Sequence, residues 1–377
     1  MSKWVSVWGN AESYSVHNER IYSKNITLRY IVPIMFDGDK VKLYFSNKFT
    51  DEKVLVNSVT VGISDGSDKT TDIKTVTFNK KKSLKLKAHD SAYSDVIDYP
   101  VKKGDMLSVS IYLKNITNLS TGTGLVGKYS YGFLAEGDCT YSEVLPLYVS
   151  RDSSKNYLLY GVDVLTNDFI NGLVCFGDSI TAMAWPDELR SMLLESDLQV
   201  GVVRKAIGGN RVLRTYSNWL NIHYGEAGVS RVDADLDTVS GANAMVVLHG
   251  INDIIHPNGT VYRPMEALPT PEELIAGYRK YIASAKKHGL KIYFATILPF
   301  SKYYTWTPER ELIRTTVNDW MRTSDEIDGV IDFDKAMRKD DDTKCAIDGY
   351  LSPDELHPSA LGFKIMAEVF YKTFFNK

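Results

Sequence analysis

The run Val174-Cys175-Phe176-Gly177-Asp178-Ser179-Ile180-Thr181 places a serine on a tight turn between an apolar strand and a helix start. A hydroxyl held that way can act as a nucleophile, but it is weak at its free pKa. The chemistry therefore needs a general base, a group that orients the base, and donors for the oxyanion of a tetrahedral intermediate. Candidates for all three follow in order along the chain. Ile207-Gly208-Gly209-Asn210 comes after the apolar pair Val202-Val203, and Gly250-Ile251-Asn252-Asp253 comes after Met245-Val246-Val247-Leu248. Asp354-Glu355-Leu356-His357-Pro358 precedes the last helical segment.

Ser179 is the candidate nucleophile, and its own backbone N–H, at a helix start, can donate to the oxyanion; a serine there is also a common N-cap. His357 is the candidate base, able to take the hydroxyl proton and return it to a leaving alkoxide. Asp354, three residues earlier, is close enough to accept from the imidazole Nδ1–H, with Glu355 as a competing carboxylate. Gly209 would offer its backbone N–H and Asn252 its side-chain amide to the oxyanion, although glycine and asparagine after a strand also serve as turn formers. Asp178 and Asp253 are expected to hold their turns by side-chain to backbone bonds. His249 and His256 flank the Asn252 block without partners at ligand spacing, so no metal and no cofactor is expected. His249 itself suits a core position or a contact at the rim of the sheet.

The four blocks, in this order, resemble the SGNH (GDSL) hydrolases, α/β serine esterases whose blocks supply Ser, Gly, Asn and His; the matching positions here are Ser179, Gly209, Asn252 and His357. The resemblance covers residues 170 to 377. It extends upstream through Trp4-Val5-Ser6-Val7-Trp8-Gly9 and Thr27-Leu28-Arg29-Tyr30-Ile31-Val32, which look like two-domain members carrying an N-terminal β-sandwich. It implies a C-terminal SGNH, flavodoxin-like, three-layer α/β/α domain with a parallel sheet, preceded by an all-β jelly-roll or β-sandwich domain like a carbohydrate-binding module. It also implies hydrolysis of carboxylic esters through an acyl-serine, with His357 oriented by Asp354 or, as in some members, by a backbone carbonyl. The implied substrate is a small-molecule ester, foremost an acetylated oligosaccharide. A broad lipase-like or aryl acylhydrolase and a non-catalytic carbohydrate-binding protein are the alternatives.

The elements that must position these residues are legible in the periodicity. From residue 25 to 115, short runs such as Val41-Lys42-Leu43-Tyr44-Phe45 alternate with period two, and Val59-Thr60-Val61, Val76-Thr77-Phe78 and Leu84-Lys85-Leu86 continue the pattern. After Tyr160-Gly161-Val162-Asp163-Val164, strands alternate with helical spacing, which divides the chain into domains at 1–165 and 166–377. Helices are expected over Trp185 to Glu195, over 271 to 288 behind the capping box Thr270-Pro271-Glu272-Glu273, from Thr307-Pro308, and over 359 to 375. Leu290 to Leu298 and Val330-Ile331-Asp332 read as strands. In open α/β sheets ligands bind beyond the carboxyl ends of the strands, and Ser179, Gly209 and Asn252 each follow an apolar strand.

Composition narrows the function classes. Lys and Arg number 44 against 47 Asp and Glu, so no basic field exists to attract nucleic acid or an anionic membrane. No apolar stretch of about 18 residues is present, and Met1-Ser2-Lys3-Trp4 lacks the apolar region of a secretory signal, which points to the cytoplasm. The three cysteines, Cys139, Cys175 and Cys345, suit reduced thiols. Oligomeric state is not legible. Near the expected rim, residues 211–226 hold Arg211 and Trp219, and residues 299–306 hold Tyr303, Tyr304 and Trp306. Arg211, Trp219, Tyr303 and Trp306 are the candidate substrate contacts, since aromatic rings edged by polar groups suit sugar faces; packing between loops is the other use of the same residues.

Overall fold

A computed structural model describes residues 2–14, 22–124, 127–146, 155–167, 169–217, 219–259 and 265–375. The chain divides into two compact units: Met1–Gly172 with Leu193–Val203 and Thr238–Gly241, and Leu173–Met192 with Arg204–Asp237 and Ala242–Lys377.

The first unit is built on two five-stranded antiparallel sheets. One runs Ser2–Gly9, Leu159–Asn167, Gly38–Ser46, Ile97–Val101, with Ser91–Tyr93 also on Gly38–Ser46; the other runs Tyr131–Glu136, Ile26–Pro33, Met106–Leu113, Ser58–Ser64, Thr70–Thr75. The period-two pattern explains the burial: Val41, Leu43 and Phe45 have no exposed surface, while Lys40 before them and Lys42 between the first two keep some. Val76 to Phe78 departs from the expected strand. The ladder stops at Thr75, and Asn79 and Lys80 take positive φ so that Phe78 and Lys81 pair across a turn. Arg29 is buried in the middle of a strand. Its guanidinium donates to Ser110 Oγ at 2.8 Å and to the carbonyls of Ser142 and Cys139 at 2.7 and 3.2 Å.

The second architecture is a parallel sheet with helices. We label its strands β1 (Asn171–Gly177), β2 (Val200–Ala206), β3 (Ala242–Leu248), β4 (Lys291–Ala295) and β5 (Gly329–Ile331). Their spatial order is 2-1-3-4-5, the flavodoxin-like order, and the direction of the chain reverses between β1 and β3. The helices are α1 (Ser179–Ala182), α2 (Trp185–Leu194), α3 (Gly228–Asp237), α4 (Ile251–Ile255), α5 (Pro271–Lys287), α6 (Pro308–Thr323), α7 (Phe333–Met337) and α8 (Ala360–Phe375). Residues 173–176 of β1 and 245–247 of β3 are almost fully buried, as strands covered on both faces must be.

The expected strand Leu290 to Leu298 is shorter in the structure. Thr296 N still donates to Ile331 O in β5 at 3.1 Å, but at Ile297 the backbone partner comes from α6 instead of a strand: Asn318 accepts from Ile297 N at 2.8 Å and donates to Ile297 O at 2.9 Å. The start of α5 follows its sequence signature. Thr270 Oγ1 accepts from Glu273 N at 3.2 Å, Glu273 accepts from Thr270 N at 2.8 Å, and Leu274, Tyr278, Tyr281, Ile282 and Ala285 form the buried stripe. No helix among the described residues is long and apolar enough to cross a membrane. Thr270→Ala removes one half of the capping box and should lower stability by about 1 kcal/mol, measured as a shift of the urea midpoint with an unchanged slope.

Candidate active site

At the end of β1 the chain turns at Gly177, where a Cβ would lie 2.1 Å from the carbonyl oxygen of Leu248 in β3, so only glycine permits the approach. Asp178 then caps α1 by accepting from Ile180 N at 3.1 Å, and Ser179 is the first residue of that helix, half-buried. Ser179 Oγ stands 2.8 Å from His357 Nε2, and His357 Nδ1 stands 2.6 Å from Asp354 Oδ2. A carboxylate only accepts, so Nδ1 carries the proton and donates to Asp354; in the neutral ring Nε2 is then the acceptor for the serine hydroxyl. Asp354 Oδ1 also accepts from the backbone N–H groups of Leu356 and His357, at 3.1 and 3.0 Å. Partial burial would raise this carboxyl, but the bond from the His357 ring and the two backbone N–H groups outweigh it and hold Asp354 below the usual carboxylate range. Glu355, the competing carboxylate, turns away at φ +56° and faces Lys302 Nζ at 4.0 Å.

The Gly208–Asn210 loop after β2 lies against the serine: a Cβ on Gly208 would be 3.8 Å from Ser179 Cβ. Gly209 takes φ +74°, and its Cβ direction is filled by the Tyr224 ring, 2.3 Å from where a side chain would start. Three groups hold the loop's carbonyls. Tyr216 donates to Gly209 O at 3.0 Å, while His249 Nε2 and Asn252 Nδ2 both donate to Asn210 O, at 3.1 and 3.0 Å. The carboxylate of Asp253 accepts from Val212 N at 2.7 Å and Leu213 N at 3.0 Å. Asp178 thus holds its own turn, whereas Asp253 holds a loop 40 residues away.

Burial sets the charges beneath this surface. It pushes Asp178 up to about 7, with the nearby Asp253 adding to the shift, and pushes Asp253 up to about 6. It pushes His249 down to about 3, helped by the cation of Arg231, so this ring is neutral, with Nδ1 accepting from Tyr281 OH at 3.0 Å. His249 is a core residue. His256 is buried with Nδ1 bonded to Tyr216, and among the described residues no group of three or more His, Cys, Asp or Glu is placed to hold a metal ion. The Cys175 thiol in β1, fully buried, is pushed up to about 12 by that burial.

The candidate substrate contacts fare differently. Arg211 is buried, its guanidinium ion-paired with Glu266, stacked 4.0 Å over Tyr216 and bonded to Arg214 O at 3.0 Å, so it is spent within the loops. The side chain of Trp219 lies outside the described residues. Trp306 is half-buried, with Nε1 donating to Glu311 at 3.3 Å. Tyr303 and Tyr304 pack with ring centroids 4.5 Å apart, and Tyr304 is 64% exposed. Lys302, the residue before them, reaches toward Asp348 at 3.8 Å and Glu355 at 4.0 Å, the latter two residues before His357.

Sequence reasoning missed the arginines below the rim. Arg204 in β2 donates to Ala182 O and Met183 O at 3.0 and 3.1 Å, closing the end of the helix that begins with Ser179. Arg310 in α6 donates to Ile254 O and to Pro257 O, the latter at 2.6 Å, closing the helix that carries Asn252. Neither has a local signal beyond being a charge at an apolar position of its element.

The profile of the GDSL-like Lipase/Acylhydrolase family matches residues 175–365. No curated protein matches the chain. Among solved structures, the chain is similar to TesA at 17% identity, over 55% of this chain and 99% of that one, with a TM-score of 0.41. It is similar to the lipase/acylhydrolase from Enterococcus faecalis at 20% identity, over 54% and 94%, with a TM-score of 0.39. It is similar to the acetyl xylan esterase AlAXEase at 16% identity, over 54% and 99%, with a TM-score of 0.41. The family profile spans half of the chain and runs from the end of β1 to the start of α8, so the chain belongs to the GDSL-like lipase/acylhydrolase family.

Proposed function

We propose that this chain is a serine esterase that removes acetyl groups from an oligosaccharide. The observation that carries the reading is the continuous relay from Ser179 Oγ to His357 Nε2 and from His357 Nδ1 to Asp354, at 2.8 and 2.6 Å. Ser179 attacks the ester carbonyl as His357 takes its proton, and Asp354 stabilises the imidazolium that forms. The oxyanion receives the backbone N–H groups of Ser179 and Gly209 and an N–H of the Asn252 amide. That amide has two N–H groups, so its bond to Asn210 O leaves one for the substrate. His357 then protonates the departing alkoxide, leaving an acyl-Ser179. Water, deprotonated by His357, attacks this intermediate; the acyl–Oγ bond breaks, His357 returns the proton to Ser179 Oγ, and the carboxylic acid is released and ionises.

The sugar half of the proposal is supported by the exposed Tyr304 ring, paired with Tyr303 and close in sequence to Lys302, whose ammonium faces Glu355. A pyranose offers C–H groups to a ring face and hydroxyls to such neighbours. We assign the catalytic domain to residues 166–377 and a carbohydrate-binding role to residues 1–165.

Ser179→Ala should lower kcat on p-nitrophenyl acetate by about 10⁴-fold or more, and Asn252→Ala by about 10²–10³-fold; retained activity in the serine variant would end the proposal. On substrate class, acetyl esters should be preferred to octanoyl, and acetate should be released from acetylated xylo- or manno-oligosaccharides. Tyr304→Ala should then raise KM for the sugar while leaving p-nitrophenyl acetate unaffected. Octanoyl preference would move the protein to the lipase-like class, and inactivity on every activated ester to a binding role.

Activity and stability should respond to pH in opposite directions. The active form needs a neutral His357 and an ionised Asp354, and Asp354 stays ionised well below pH 5. The acid limb of kcat/KM should therefore have a slope of one proton, and a slope of two above pH 5 would contradict this. Asp178 and Asp253 have folded pKa values above the unfolded value of about 3.9. The stability they contribute is complete below that value and is lost as pH rises through 6 to 7. Asp178→Asn should accordingly gain stability relative to wild type between pH 5 and pH 8, seen as a rising difference in Tm.

A further inference from the structure

Arg231 lies one turn into α3 and is 3% exposed. Its guanidinium plane sits 4.1 Å over the Phe176 ring in β1. Four N–H groups have partners: Nε donates to Asn210 Oδ1 at 3.0 Å, Nη1 to Lys205 O at 3.1 Å and to the Asp235 carboxylate, and Nη2 to Gly177 O at 3.0 Å. Gly177 is two residues before Ser179, Lys205 is near the end of β2, and Asn210 is the residue after Gly209. One rigid fork therefore ties together the turn that carries the nucleophile, the strand that feeds the oxyanion loop, and the loop itself.

The link to Asn210 is directional. The Asn210 amide donates to Tyr224 O at 2.6 Å and Glu226 O at 2.7 Å, which leaves Oδ1 as its acceptor and fixes which way the amide faces. On the other side, Asn210 O is held by His249 and Asn252. Asn210 is thereby held through both its side chain and its carbonyl, and the peptide joining it to Gly209 is held separately, with Gly209 O accepting from Tyr216 at 3.0 Å and Asn210 N donating to Ile207 O at 3.1 Å.

We propose that Arg231 is a positioning residue for acyl transfer, holding the Ser179 turn and the Gly209 loop in one fixed relation so that the oxyanion donors meet the charge that develops when Ser179 attacks. This rests on the roles given above to Ser179 and Gly209. A lysine cannot replace it: an ammonium with three N–H groups at one point cannot reach four acceptors arranged around a planar fork. A displacement of about 1 Å at such a site costs roughly 100-fold in rate. The loss falls on kcat, because the donors are engaged more strongly in the transition state than by bound ester.

The test uses the full chain with Arg231→Lys and Arg231→Met, alongside Ser179→Ala, on p-nitrophenyl acetate. The expected result is a kcat lower by about 10-fold in Arg231→Lys and about 100-fold in Arg231→Met, with KM within about threefold. The near-ultraviolet circular dichroism and the one-proton acid limb should be retained in both. A folded lysine or methionine variant with wild-type kcat would overturn the proposal. So would a loss carried by KM, or a loss that tracks the unfolded fraction. Failure of both variants to fold would show that the guanidinium serves the fold and not the site, and would also overturn it. Activity surviving in Ser179→Ala would instead remove the underlying reading; an inactive Ser179→Ala with a fully active Arg231→Lys removes only the present one.

Discussion

A guanidinium shut away from water needs acceptors for nearly all its N–H groups, and the loops at the carboxyl ends of parallel strands carry carbonyls that no neighbouring strand reaches. Here the two needs answer each other. Arg204 takes the last carbonyls of α1, Arg310 those around the end of α4, and Arg231 those of Gly177 and Lys205. Arg314 takes Ile297 O at 3.1 Å while pairing with Glu311 and Asp334. These arginines come from β2, α3 and α6, so the loops are tied to rigid elements beneath them. Buried ionic groups add little net stability over a well-packed apolar core. What they supply is a loop geometry with few alternatives, because any other arrangement strands a charge. Arg29 meets the same requirement within its antiparallel sheet, bonded to a serine and a set of loop carbonyls.

The carboxylates divide into two groups by the same physics. Asp354 is half exposed and accepts three N–H groups, two from the backbone and one from His357, so its charge is stabilised. Asp178 and Asp253 are buried, and that burial disfavours their charged forms even though each accepts backbone N–H bonds. One residue type thus provides both an ionised acceptor for the His357 ring N–H and two structural acceptors under the loops. His249 and His357 divide similarly: the first is enclosed by aromatic rings and stays neutral, the second lies at the surface between an acceptor and a hydroxyl.

The 2-1-3-4-5 order accounts for why the three loops meet. β1 and β3 are neighbours and leave the switch point in opposite directions, so the turn after β1, the loop after β2 and the helix after β3 all open on the same rim. Close packing at that rim selects the glycines. Gly177 admits Leu248 O, and Gly209, at positive φ, admits the Tyr224 ring.

Much of this was written in the chain. Period-two alternation marks the antiparallel strands and the alternation of strands with helical stripes marks the parallel sheet, because both follow from hydrogen bonds and side-chain directions repeated over a few residues. The capping box at Thr270 and the cap at Asp178 are legible for the same reason, and so are the four blocks, each a short stretch around a turn. The failures lie where a partner is distant. Val76 to Phe78 has a strand pattern but turns at Asn79 and Lys80, and the chain leaves the ladder at Ile297 because Asn318 in α6 takes that residue's backbone groups. Arg211 has the composition of a surface contact and is buried on Glu266 and Tyr216. Asp253 reads as a local turn former and binds Val212 and Leu213 instead. Residue type and local spacing determined which elements form and which groups could react. Which carbonyl a buried arginine reaches, which hydroxyl meets the imidazole and which loop an aspartate holds were decided by tertiary structure, since those bonds join residues far apart in the chain.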